Sequence, residues 1–449
     1  MREILTKCWR FFQRNTINAK QTKILRVNLF SSPLHWTVFV AICGCIFTLN
    51  LYQEYQSYLR YLGDLNTKEI QGQVIAQYTK QDKNGKPYFV IKLRSQDGHI
   101  LYTTSKEDIK DLSHSFVRIF GKPLQCDFLQ YLRSCFFVNF SLSLESQKDS
   151  RNVLREAIDR QHAQESMASL YKTLYFADFL PKELRDTSNK LGIAHLVAIS
   201  GFHLGVLSLS LGFVLSLVYR IFQSYVPYRN RFFDLSLLVL VFLFIYLCVL
   251  SFTPSFLRAW VMAAFSFVLL YSGVKVLDFT FLFLVGVVCV SLFPHLICSV
   301  GFFLSFMGVF YVYLFLRYFR FPHHWIEIFI LPLLFNAVIF LNMLIVVHFF
   351  FPYFSAYSIA SILLSIAFCV FFPLSIVGHV FGVGWIFDSL LLKLFGMPIT
   401  AIEVFTPTWL FIVYLCLGLL SIRFVKAYIL LLISAVAFLG YLYYNLWVA

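Results

Sequence analysis

His195 and His203 flank Ser200 and Gly201 in the stretch AHLVAISGFHLG, residues 194–205, inside a run otherwise apolar enough to cross a bilayer. Imidazoles and a hydroxyl at that depth can line a polar path, because such groups are costly in hydrocarbon unless they face protein or water. Arg258, in SFTPSFLRAW, makes the same demand more strongly. A guanidinium a few residues inside an apolar segment needs a partner, a phosphate or water, or it must snorkel to the interface. A second basic set lies upstream, where Lys80, Lys83, Lys86, Lys92 and Arg94 stand near Tyr78, Tyr88 and Phe89. Ammonium groups that track phosphate beside rings that stack on bases are what a single-strand groove requires. A solvated hairpin with core aromatics accounts for the same residues. Cys126 and Cys135, in QCDFLQYLRSC, can pair in an oxidising compartment.

Other chemistry is missing. No G-x-x-x-x-G-K-[ST] phosphate loop is present, and neither H-x-H-x-D-H nor H-E-x-x-H occurs. No nucleophile and base can be paired from spacing. The expectation is therefore a protein that is not an enzyme, with no cofactor and no metal.

The elements that must position these groups are membrane helices. Of the 449 residues, 59% are hydrophobic and only 13% charged, far from a soluble domain. Apolar runs of roughly 20 residues, enough to span a bilayer, fill most of the chain after 190, and one more lies at 34–51. The net charge of +14 invites a nucleic-acid reading, but most of the excess flanks apolar segments. Residues 1–33 carry seven basic side chains against Glu3, whereas 53–188 are nearly balanced. Cytoplasmic Lys and Arg set topology, so the N-terminus is expected inside and 53–188 outside. Segment 34–51 reads as an uncleaved anchor.

Five β-rich stretches between 69 and 146 are separated by turns such as Asn84-Gly85 and Asp97-Gly98. Five short strands point to a small barrel of the oligonucleotide-binding (OB) type, with a generic β-sandwich as the alternative, and a short helix fits at 105–112. Residues 149–172 read as one amphipathic helix. The fold class is thus a polytopic α-helical membrane protein of about 9–11 segments, some broken or re-entrant, with an extracytoplasmic OB-like β-barrel. Its parts are a basic cytoplasmic N-terminus (1–33), a first transmembrane helix (34–52), the barrel (53–148), a helical connector (149–189) and a polytopic domain (190–449). The region 353–421, with Pro373, Gly378, Gly382, Gly384, Gly396 and Pro398, is expected to contain a break. Small residues Ala194, Ala198, Gly201, Gly205, Ser208, Gly212 and Ser216 recur at helical spacing and predict a close-packing face.

The stretch 174–207 resembles the signature of the ComEC family of competence DNA-translocation channels, through Asp178, Gly192, His195, Leu196, Ala198, Ser200, Gly201 and His203. A second family element is matched by Pro254, Ser255, Arg258 and Ala259, and a third by Gly301, Phe302, Leu304, Ser305 and Phe306. Ala177 departs from the glycine that commonly precedes the aspartate. The resemblance implies an inner-membrane channel that passes single-stranded DNA into the cytoplasm during natural transformation. His195, Ser200, Gly201, His203 and Arg258 would line its path, and Lys80, Lys83, Lys86, Tyr88, Lys92 and Arg94 would receive the strand. It further implies a periplasmic DNA receptor and a cytoplasmic helicase or strand-binding protein as partners. Many members carry a metallo-β-lactamase-like nuclease domain; no such motif occurs by Ala449, so if one strand is degraded, a separate nuclease is expected to do it. The rival reading is a secondary transporter of a small anionic or lipid-linked cargo, which would explain Arg258 and the broken segments.

Overall fold

The computed structural model describes residues 33–63, 67–82, 85–95, 98–105, 112–145, 149, 151–223, 228–271, 279–319 and 324–448. The basic N-terminus, Lys83 and most of the helix expected at 105–112 lie outside the described residues. The chain divides into two compact units, one of Val38–Leu180 with Val287–Ser299, the other chiefly of Pro181–Gly286 and Val300–Ala449.

In the first unit, helix α1 (Pro33–Gly63) runs for 31 residues, about 46 Å at the α-helical rise. Beyond its apolar half, Asn50, Gln53, Glu54, Ser57, Arg60 and Tyr61 recur every three or four residues and share one face. Strands β1 (Lys68–Gln81), β2 (Pro87–Ser95), β3 (Ile100–Ser105), β4 (Phe116–Pro123) and β5 (Cys135–Leu144) close into a barrel of order β1-β2-β3-β5-β4. The expected five strands are all present. Closure removes the edges that an open sheet would expose.

Strand alternation fills the barrel. Val117 and Ile119 of β4 point inward with Val74, Ile91, Leu93 and Phe137, while Arg118 and Phe120 point out. At Gly121, where the β4–β5 register shifts, a Cβ would lie 1.9 Å from the Val138 carbonyl oxygen, so only glycine fits. Helix α2 (Phe128–Tyr131) sits between Cys126 and Cys135, whose sulfurs are bonded across a Cα separation of 6.2 Å. Tyr58 and Tyr61 of α1 pack on Tyr131 at 5.4 and 5.5 Å between ring centroids, and so join the helix to the barrel.

The single connector helix expected over 149–172 is instead two, α3 (Asn152–Asp159) and α4 (Glu165–Phe176). Between them the chain turns back, and the His162 ring stacks on Tyr171 of α4 at 4.7 Å.

The second unit contains α5 (Lys182–Lys190), α6 (Ala194–Val197), α7 (Gly201–Phe222), α8 (Arg231–Val249), α9 (Pro254–Tyr271) and α10 (Phe279–Leu292), whose last turns belong to the first unit. A 3-10 turn at Pro294–Cys298, in the first unit, precedes α11 (Val300–Tyr318) and α12 (His324–Phe350). Then come β6 (Tyr353–Phe354), α13 (Ala360–Val380), α14 (Asp388–Phe395), β7 (Ile402–Glu403), α15 (Thr408–Ser421) and α16 (Val425–Val448). Among the described residues seven helices are long and apolar enough to cross a membrane, and three shorter apolar helices accompany them. This is a multi-pass membrane protein.

The core of this unit lies between α11, α12, α15 and α16, around Tyr311, Leu314, Ile345, Val346, Tyr414 and Leu431. The Tyr414 hydroxyl donates to the Asn342 carbonyl at 3.0 Å, which satisfies polar groups that hydrocarbon cannot. In 353–421, α13 continues through Pro373, and the break falls at Phe381–Val383, where Gly382 takes φ +76°.

The small-residue face is only partly a packing face. A Cβ on Gly201 would meet the Ala259 Cβ at 3.3 Å, but nothing lies within 4 Å of one on Gly205 or Gly212. Ala194 and Ala198 precede a break in the helix, so the seven small residues share no single face.

Candidate functional site

The helix expected over 194–219 is interrupted at its start. α6 makes one turn and ends at Ala198, whose ψ of 128° is extended. Ser200 is also extended, at φ −143° and ψ 178°, and α7 begins at Gly201. The Ser200 hydroxyl accepts from the Phe202 N–H at 3.3 Å, and the Ser200 N–H donates to His203 Nδ1 at 3.2 Å. Ser200 and His203 thus form a reciprocal cap in which histidine takes the usual place of Glu or Gln. Unwound backbone within a membrane protein is tolerated where protein buries it or where it lines a cavity. Here the Ser255 hydroxyl donates to the Ile199 carbonyl at 2.5 Å. Ahead of the break, Gly192 takes φ +70° with the Ser358 carbonyl oxygen 3.2 Å from where its Cβ would be. Ser355 donates to the carbonyl of Lys190.

Three sequence-distant stretches meet at this break. Ser255 and Ala259 bring the start of α9 against Ile199 and Gly201. From the same turn of α9, Arg258 Nη2 donates to the Gly301 carbonyl at 3.1 Å, and its guanidinium lies 5.2 Å from the centre of the Phe302 ring. Arg258 is only 6% exposed, so it is turned onto α11 and does not snorkel. Pro254 opens α9, where a missing N–H costs nothing. Ahead of it Ser251 and Phe252 take φ +51° and +54°, a strain of about 1–2 kcal/mol each, and this tight turn delivers Ser255 and Arg258. On α11, Ser305 is half-buried one turn past Gly301, and Phe306 lies over Gly286 of α10.

The two histidines differ. His203 is fully buried, with its ring edge-on to Phe368 at 5.0 Å and Phe372 at 4.9 Å. Since Nδ1 accepts from Ser200, the network assigns its proton to Nε2, which has no hydrogen-bond partner among the described residues. His195 is exposed, and its Nε2 lies 3.5 Å from the Ser365 hydroxyl. The α13 face made by Ser361, Ser365, Phe368 and Phe372 therefore completes the site. Sequence reasoning missed it, although the spacings of 4, 3 and 4 in SILLSIAFCVFF were the available signal.

In the first unit Asp178 is a structural anchor. Arg155 grips it with two bonds of 2.8 and 2.9 Å and also donates to Asp149 at 3.0 Å. Asp149 further accepts from Arg151 and from Gln73 of β1, and His114 Nε2 lies 3.4 Å from Asp178. Burial raises the Asp149 carboxyl, but hydrogen bonds from Arg151 and Arg155 outweigh it and hold the group well below the usual carboxylate range. Burial works against the Arg155 charge too, and its bonds to Asp178 more than compensate. Ala177 is the C-cap of α4 at φ +61°, the left-handed conformation that favours glycine.

On the barrel, β2 places Tyr88, Val90, Lys92 and Arg94 on the face opposite the core residues Ile91 and Leu93. Lys80 lies 5.9 Å from the centre of the Tyr78 ring, and Lys92 lies 5.7 Å from that of Tyr102. This face is not an open groove. Tyr78 stacks on Phe179 at 6.1 Å, Lys92 and Arg94 are half-buried, and burial pushes both cations down. Lys80 and Lys86, at the β1–β2 tip, are exposed.

No curated protein matches this chain. The sequence profile described as "Competence protein" matches residues 176–447, a span that takes in Asp178, the broken helix, Arg258 and Gly301. With that match over more than half its length, the chain belongs to the competence protein family, the ComEC/Rec2 family.

Proposed function

We propose that this protein is an inner-membrane channel that passes single-stranded DNA into the cytoplasm during natural transformation. The observation that supports this most is the meeting of three family motifs around an unwound segment beside a buried guanidinium. A polyanion needs a weakly attractive route, since strong sites would trap it. Arg258, His195 and the hydroxyls of Ser200 and Ser365 are sparse enough for that, and His203 sets the geometry of the break. On this reading residues 53–188 face the periplasm and the N-terminus the cytoplasm. A periplasmic receptor delivers DNA, and a cytoplasmic helicase or strand-binding protein draws in the single strand.

The broken helix also fits a secondary transporter of a small anionic or lipid-linked cargo, whose sites are built from such interruptions. Following fluorescent duplex DNA in cells with and without the gene separates the two. The channel reading expects DNA to accumulate outside the inner membrane in the deletion strain. Equal arrival in the cytoplasm would favour the transporter.

A further inference from the structure

A cleft of about 880 Å³ lies in the first unit between the polar face of α1, the first residues of β1 and the segment 292–295, within the range of ligand sites. Its cations come from three elements: Arg60 from α1, Lys68 from β1 and Arg118 from β4. Two imidazoles, His99 and His295, face the same space, as does Glu54. We propose that this cleft holds a one- or two-nucleotide phosphodiester segment of single-stranded DNA, a reading that rests on the channel function proposed above.

The charges are arranged for a transient polyanion. Glu69 at 2.8 Å and Glu145 at 3.4 Å hold Arg118 in place. Lys68 donates to the Tyr61 carbonyl at 3.1 Å and sits 4.5 Å from the centre of its ring. Arg60 rests on the Ser57 hydroxyl at 3.1 Å, with no carboxylate at ion-pair distance among the described residues. It is the cation best placed to take a phosphate. Glu54 is 3.9 Å from His99. Glu69 and Glu145 both engage Arg118, so the three cations are matched by three carboxylates overall. The local charge offered to a strand is that of Arg60 and Lys68 set against Glu54, which binds it without trapping it. The His99 ring lies on Tyr131 at 4.6 Å and gives a base a flat surface beside the cations. Asn50 fixes the floor, donating to the carbonyls of Ser291 and Leu292 at 2.8 and 3.3 Å. The face that the sequence nominated is partly covered by Phe179, whereas this cleft is open.

The test is binding of a fluorescent dT12 to the full chain in phosphatidylcholine nanodiscs, as a function of salt. The wild type is compared with Arg60→Gln/Lys68→Gln, with Arg60→Glu alone because Arg60 is exposed and needed by no packing, and with Lys80→Gln/Lys86→Gln. The proposal expects both cleft variants to lose about tenfold in affinity, the double variant's salt slope to flatten by about 1.4, and the tip variant to stay within about twofold. Loss confined to the tip variant overturns the cleft assignment and leaves the DNA reading standing. Absence of any wild-type binding overturns both. Displacement of dT12 by phosphatidylglycerol, with a lipid retained by wild type and lost from Arg60→Glu in native mass spectra, makes the cleft a lipid-headgroup site and also overturns the proposal.

Discussion

Arg258 donates to the carbonyl of Gly301 at 3.1 Å, which ties the second family motif to the third at the head of the broken helix. Arg258→Gln removes the charge and the fit to Phe302, and Arg258→Lys keeps the charge but loses the planar group that lies over the ring. Transformation frequency is expected to fall at least about tenfold in the first, equivalent to about 1.4 kcal/mol, with a smaller fall in the second. Immunoblots should show unchanged membrane levels. A wild-type frequency in Arg258→Gln would remove Arg258 from the path.

His203 and His195 should separate in their phenotypes. His203→Ala removes half of a reciprocal cap, worth about 0.5–2 kcal/mol, and leaves a void beside Phe368 and Phe372. Its apparent Tm in detergent should drop. His195→Ala, at an exposed position, should keep its Tm and lower DNA passage. The reverse pattern would exchange the roles assigned to the two rings.

Ala177 occupies a left-handed C-cap at φ +61°. Ala177→Gly is expected to raise stability by about 0.5–1 kcal/mol, read as a higher denaturant midpoint with an unchanged slope. A lower midpoint would mean that the unfolded-state entropy gained by glycine outweighs the relief of strain.

The cluster around Asp178 predicts acid sensitivity in two steps. Burial, reinforced by Arg155 and Arg151 against the pull of Asp178 and Asp149, holds the His114 imidazole below its ordinary value. The unfolded chain then takes the proton first, so stability should fall as the pH drops below about 6.5. Asp149 is held ionised by Arg151 and Arg155. Its contribution is present above the unfolded carboxylate value of about 3.9 and is lost as the pH falls through the depressed folded value. Tm against pH for the full chain should show both declines, and His114→Asn should abolish only the upper one. An unchanged upper decline in that variant would place its cause elsewhere. Arg155→Met should cost about 3–5 kcal/mol, because it leaves the buried Asp178 without its arginine and takes one of two arginines from Asp149.

Much of this architecture was legible in the sequence. Apolar runs of bilayer length identify membrane helices because hydrocarbon leaves a backbone few alternatives. Period-two alternation identified the five strands of the barrel, and the family motifs named Asp178, His195, Ser200, His203 and Arg258 before any geometry was known. What those side chains touch was not legible. His195 and His203 look alike in a linear sequence, yet one is exposed near Ser365 and the other is sealed between two phenylalanines, a difference set by the face α13 presents. The packing stripe of small residues failed because the helix breaks at 198–200, and helical spacing carries no meaning across a break. The Arg155 cluster and the Arg60 cleft were not visible because their members are scattered from 50 to 295 and, Asp178 apart, carry no motif. Local propensity and hydropathy act along the chain and can be read from it. Partnership between distant side chains depends on barrel closure and helix crossing, and only the tertiary structure decides it.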